Sequence, residues 1–93
     1  MILTDEQITL VKEYAAALLP ANEIAILLDF DTDGRRAFDE IVKNHTSSPI
    51  YKAFHQGRLQ TKFELRKIII KLAKNGSPAA QPIAEKYLIE QKI

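Results

Sequence analysis

Ninety-three residues amount to a single domain near the lower limit for unaided folding. Hydrophobic residues at 46% and charged residues at 27% exclude a disordered chain, and the absence of cysteine excludes disulfides and thiolate metal sites. The net charge of +1 conceals a split: residues 1–48 carry nine acids against four bases, net −5, and residues 49–93 carry nine bases against three acids, net +6. Asp5 and Glu6 stand where a signal peptide would be basic, and no apolar run approaches the roughly 18 residues of a membrane span. A soluble, cytoplasmic protein is expected.

Helical periodicity dominates and no period-2 strand pattern stands out, so the expected fold class is all-α. Thr4 reads as an N-cap, with Asp5, Glu6 and Gln7 in a dipole-compatible first turn. Ile8, Val11, Ala15 and Leu18 then predict helix 1 over about 5–18. Pro20 suits the first turn of a short second helix carrying Ile24, Ala25, Leu27 and Leu28. The run Asp29-Phe30-Asp31-Thr32-Asp33-Gly34 breaks the pattern, and a third helix follows with Ala37, Phe38, Ile41 and Val42 as its buried face.

After a polar hinge at His45–Ser48, Ser48-Pro49 opens a long helix reaching Asn75, with Gly57 as its weak point and Asn75-Gly76 as its C-cap. Ser77-Pro78 repeats the start signal for a closing helix with Ala80, Ile83, Ala84, Tyr87 and Leu88, and Pro82 in its first turns. The chain thus reads as one domain: a helix-turn-helix-like unit over 1–46, then a helical hairpin over 47–93.

At 100° per residue the long helix has two apolar stripes. Phe54, Thr61, Leu65, Ile68 and Leu72 form the longer, expected to join the subunit's own core. Leu59, Phe63 and Ile70 form the other, expected to face a second subunit. The simpler possibility is that helix 1 and the last helix cover both.

Asp29, Asp31, Asp33, Gly34 and Glu40 match the calcium-loop pattern D-x-D-x-D-G-x₅-E. Arg36 at the normally apolar eighth position, the lack of a second loop and the short exiting helix favour a plain helix–helix turn in which Asp31 or Asp33 caps helix 3. The same stretch reads as a helix-turn-helix with Ala25 at the close approach and Phe30 plugging the turn, which presents Arg35, Arg36 and Lys43 to phosphates or base edges. Asp33, Asp39 and Glu40 oppose that role. Lys52, Arg58, Lys62, Arg66, Lys67, Lys71 and Lys74 make a basic stripe on the long helix, opposed there only by Glu64, that can neutralise backbone phosphates without reading sequence; a solvated face, or pairing with the acidic first half, is the plainer account. No nucleophile constellation, phosphate loop or paired metal ligands are present, so neither an enzyme nor a cofactor is expected; His45 and His55 read as hinge and partly packed histidines.

Ser48-Pro49-Ile50-Tyr51-Lys52-Ala53-Phe54-His55-Gln56-Gly57-Arg58, together with the run from Glu64 to Ala80, resembles the small subunits of phage terminases, in particular the short proteins of Bacteroidetes phages. Phe54-His55-Gln56-Gly57-Arg58 matches that family's aromatic-x-x-Gly-Arg/Lys, and Leu72-Ala73-Lys74-Asn75-Gly76-Ser77-Pro78-Ala79-Ala80 matches its Leu-Ala-x-x-Gly-x-x-x-Ala, over an element order agreeing across about residues 4–90. The resemblance implies non-enzymatic recognition of double-stranded phage DNA for packaging, in the host cytoplasm. The N-terminal helices would engage DNA, the hairpin 49–90 would build a ring-shaped homo-oligomer, and the large terminase subunit would be a further partner. The turn Asp31-Thr32-Asp33-Gly34 is longer and more acidic than the family's. Alternatives are a small helix-turn-helix transcriptional regulator, or a helical protein-interaction or calcium-binding module. The combined candidate DNA contacts are Arg35, Arg36, Lys43, Lys52, Arg58, Lys62 and Arg66.

Overall fold

The computed structural model describes residues 1–91. Five helices make up the described chain: α1 (Asp5–Ala16), α2 (Ala21–Leu27), α3 (Thr32–Asn44), α4 (Pro49–Lys74) and α5 (Gln81–Ile89). No strand occurs among the described residues, and no helix there is long and apolar enough to cross a membrane.

Local chemistry accounts for most boundaries. The Thr4 hydroxyl accepts from the Gln7 amide at 3.1 Å while the Gln7 side-chain oxygen accepts from the Thr4 amide at 2.9 Å, a reciprocal cap that satisfies two orphan donors. Asp31 Oδ1 accepts from Gly34 N at 2.7 Å to start α3. Ser48 Oγ accepts from Ile50 N at 3.1 Å, ahead of Pro49 at the first helical position.

Three helices end in the same way. At α1, α2 and α4 the chain turns left-handed at Leu18 (φ 64°), Asp29 (φ 61°) and Gly76 (φ 89°). The next amide then reaches back to the third-last helical carbonyl: Leu19 N to Tyr14 O at 3.3 Å, Phe30 N to Ala25 O at 3.1 Å, and Ser77 N to Leu72 O at 3.0 Å. Only the last uses the glycine such a turn favours. Helix α1 therefore stops at Ala16, short of the predicted Leu18. Pro20 is the N-cap of α2 rather than part of its first turn. The break between α2 and α3 narrows to four residues, 28–31, because Thr32, Asp33 and Gly34 already belong to the first turn of α3. Pro78 to Ala80 form a turn, so α5 begins at Gln81.

The chain divides into two compact units, Met1–Thr61 and Lys62–Ile93. The division lies inside α4, later than the 46/47 boundary read from the sequence, because the first half of α4 completes the core of α1–α3. Val11 and Ala15 of α1, Ile24 and Ala25 of α2, Phe38, Ile41 and Val42 of α3, and Ile50, Ala53 and Phe54 of α4 form one buried cluster. Phe38 is fully buried, with its ring centroid 5.8 Å from Phe30 and 6.5 Å, edge-on, from Phe54.

Side chains of α4 also serve the carbonyls that helix ends leave open. Thr61 Oγ1 donates to Ala16 O, Arg58 donates to Leu19 O at 3.2 Å, and His55 Nε2 lies 2.8 Å from Val42 O, which requires the proton on that nitrogen. Gly57 is buried against α1: a Cβ there would overlap the Lys12 carbonyl oxygen and come within 3.0 Å of Ala16 N.

The second unit is built differently. Among its described residues Ala80 is the one buried side chain. Arg66, Ile69 and Ala73 of α4 are half-buried, and Arg66 and Ala73, with Ile70 and Lys74, line one groove with α5. The long stripe expected to join the core with Phe54 does not do so beyond Thr61: Leu65, Ile68 and Leu72 are 52%, 54% and 44% exposed. The reason is rotational, since Ile69 and Ala73 sit about 100° around the helix from Ile68 and Leu72.

Candidate nucleic-acid interface

Helix α3 sets the first group of candidate contacts. Its N-terminus is aimed by the four-residue turn, in which Phe30 packs on Phe38 and Asp31 caps. Arg35 and Arg36 are both exposed at the start of this helix. The Arg35 Nε donates to Phe30 O at 3.1 Å, and its terminal nitrogens have no partner among the described residues. Arg36 makes no hydrogen bond or ion pair among the described residues. Lys43 pairs with Asp39 at 2.8 Å; that hydrogen bond and the carboxylate charge raise the lysine above its ordinary pKa. Asp33, Arg36, Glu40 and Lys43 share one exposed face and alternate in sign, so α3 offers two arginines in a mixed field rather than a basic strip.

Arg58 is taken up by the fold. Besides its bond to Leu19 O, its guanidinium lies 4.4 Å from the Phe54 ring centroid, and its buried Nε has no partner. Arg66 is likewise occupied within the second unit: it stacks 4.1 Å from the Tyr87 ring centroid and lies 3.5 Å from Glu90. Lys52 and Lys62 are exposed on the first and second halves of α4.

The structure brings forward cations that the list of candidate DNA contacts omitted. Lys67, Lys71 and Lys74 are all exposed, and with Ile70 and Asn75 they line a shallow depression of about 350 Å³. Lys67 Nζ lies 5.2 Å from the Phe63 ring centroid. The basic stripe noted in the sequence was the signal; which of its members are internally occupied is a tertiary matter.

No known protein family, curated protein or solved structure matches the chain.

The calcium pattern does not form a loop. Helix α3 starts at the fourth position of the pattern, so Asp33 and Glu40 sit inside one helix while Asp31 is occupied by its cap. No group of three or more His, Asp or Glu placed to hold a metal occurs among the described residues. The three residues expected to face a second subunit, Leu59, Phe63 and Ile70, are 59%, 56% and 39% exposed.

Proposed function

We propose that this chain is a non-enzymatic, duplex-DNA-binding protein that works as a homo-oligomer, of the kind its sequence resembles in phage small terminases. The observation that carries the DNA reading is the pair of helices α2 and α3 joined by four residues, with Asp29 in the left-handed conformation and Arg35 and Arg36 exposed as α3 begins. In DNA-binding helix-turn-helix proteins a two-helix unit with so short a turn presents its second helix to the major groove, with that helix's N-terminal residues nearest the bases. Lys43 and Asp39 neutralise one another, so the field a phosphate would meet at α3 is set by Arg35 and Arg36.

Self-association is supported by the second unit. Phe63, Leu65, Ile68, Ile70, Leu72, Ile83, Leu88 and Ile89 are between 39% and 84% exposed there. At ~1.5–3 kcal/mol for full burial of each, scaled by exposure, covering them is worth about 7–13 kcal/mol per chain. That is on the scale of the cost of association, about 4–15 kcal/mol, which self-association has to exceed. Exposed apolar surface on this scale marks an interaction site rather than an ordinary monomer surface.

Fluorescence anisotropy on duplex DNA across a salt series tests the first part. Arg35→Ala/Arg36→Ala should weaken binding and flatten the salt slope by roughly two phosphate contacts, while Lys71→Ala/Lys74→Ala should matter less. The reverse order would place the contact on α4 and defeat the α3 reading. For the second part, Phe63→Glu should dissociate the assembly with helical circular dichroism intact.

A further inference from the structure

The lysine face of α4 differs from a simple phosphate-binding strip in being interleaved with apolar side chains. On a helical wheel Phe63, Lys67, Ile70, Lys71 and Lys74 fall within one sector of about 100°. All five are exposed. Lys67 lies over Phe63, and Ile70 shares the shallow depression with the three lysines. A polyanion would neutralise the cations and leave Phe63 and Ile70 in water. The complementary partner is a surface that is apolar and acidic at once.

The first unit carries such a surface. Ile26 and Leu27 of α2 are each 55% exposed, and Leu18, in the turn preceding α2, is 53% exposed. Glu23 stands three and four residues before Ile26 and Leu27, on the same helix face, and Asp29 follows at the left-handed turn; both carboxylates are exposed and unpaired. Residues 1–61 hold six bases and nine acids, net −3; residues 62–93 hold seven bases and three acids, net +4.

We infer that the face Phe63–Lys67–Ile70–Lys71–Lys74 of one copy docks on the Leu18–Glu23–Ile26–Leu27–Asp29 surface of a second copy. The contact is head-to-tail: each chain offers two different surfaces, and repetition either closes a ring or extends a filament. Opposite charges frame the apolar contact, set its polarity and disfavour pairing of like halves. Docking also neutralises acids of the unit that carries α3, which lowers the repulsion a DNA backbone would meet there. This inference rests on the homo-oligomer reading above and specifies its interface.

Sedimentation velocity on the full chain tests it. Wild type should self-associate by about 100 µM. Raising NaCl from about 50 to about 500 mM should weaken the association several-fold. Ile26→Ser/Leu27→Ser and Lys67→Glu/Lys71→Glu should each be monomeric with unchanged helical circular dichroism, since all four positions are exposed. If the lysine variant loses helicity, Lys67→Gln/Lys71→Gln takes its place. Mixing the two variants should restore one intact interface and yield a dimer that stops at two chains. A mixture that stays monomeric overturns the inference. An α2 variant that assembles like wild type also overturns it while leaving the homo-oligomer intact through hairpin-to-hairpin contact. A lysine variant that still assembles but loses DNA assigns that face to nucleic acid instead. A wild-type monomer at the same concentration removes both this interface and the oligomer reading.

Discussion

Gly57→Ala separates what a helix prefers from what this fold requires. In an exposed helix the change should stabilise by about 0.8–1.0 kcal/mol, since alanine is the better helix former. Here Gly57 is buried where α4 crosses α1, and a new methyl group would overlap the Lys12 carbonyl oxygen, lie 3.0 Å from Ala16 N and 3.1 Å from Ala15 Cβ. Two of those neighbours are backbone and cannot rotate away. Relief requires α1 and α4 to separate, at the ~1–3 kcal/mol typical of overpacking. Separation also stretches the bonds from Thr61 to Ala16 O and from Arg58 to Leu19 O, each worth about 0.5–1.5 kcal/mol. After the propensity gain is subtracted, a loss of about 1–5 kcal/mol remains, toward the lower end if the two bonds stretch without breaking. Urea denaturation followed by circular dichroism would read it as a lower midpoint at similar slope, and the thermal midpoint should fall by about 4–8 °C per kcal/mol. A Gly57→Ala protein as stable as wild type, or more so, would refute the close approach of α1 and α4.

Asp29→Gly should raise stability by about 0.5–1 kcal/mol in the same assay, because φ of 61° is strained for a side chain with a Cβ; a lower midpoint would mean that the Asp29 carboxylate does more than occupy the turn. Phe38→Ala removes a fully buried ring between Phe30 and Phe54 and should cost about 3–5 kcal/mol, with loss of near-native signal from α1–α3; a cost under about 1 kcal/mol would place the core elsewhere. Calcium should leave circular dichroism and melting unchanged, since Asp31 caps α3 and Glu40 lies within it. A micromolar calorimetric isotherm abolished by Glu40→Gln would show that the stretch rearranges around the ion.

Much of the architecture was legible in the sequence because it is set by neighbours in the chain. Thr4, Ser48-Pro49 and Asn75-Gly76 announce helix ends through hydrogen bonds reaching two to five residues, and the 3- and 4-residue spacing of apolar side chains marks the faces that α1–α3 bury. The charge split between the halves was legible for the same reason. The left-handed turns at Leu18 and Asp29 were not, since no glycine marks either; around Leu18 the distant Arg58 and Thr61 donate to Leu19 O and Ala16 O, and after Asp29 the Phe30 ring packs on Phe38. Gly57 looked like a flaw in a helix because only the backbone of α1 explains it.

The long helix shows the same division most clearly. Its two apolar stripes follow from periodicity alone, but which stripe is covered depends on where α1–α3 end and on the rotation at which α5 meets α4. Phe54 and Thr61 are taken into the first unit, whereas Leu65, Ile68 and Leu72, on the same face farther along, stay exposed. Likewise the basic stripe could be counted from the sequence, but only tertiary contacts sorted it. Arg58 and Arg66 are absorbed by a carbonyl, aromatic rings and Glu90, while Lys67, Lys71 and Lys74 are left facing outward beside apolar neighbours. Sequence spacing determines which side chains share a helix face; whether that face meets the core, a partner or water is decided by residues distant in the chain.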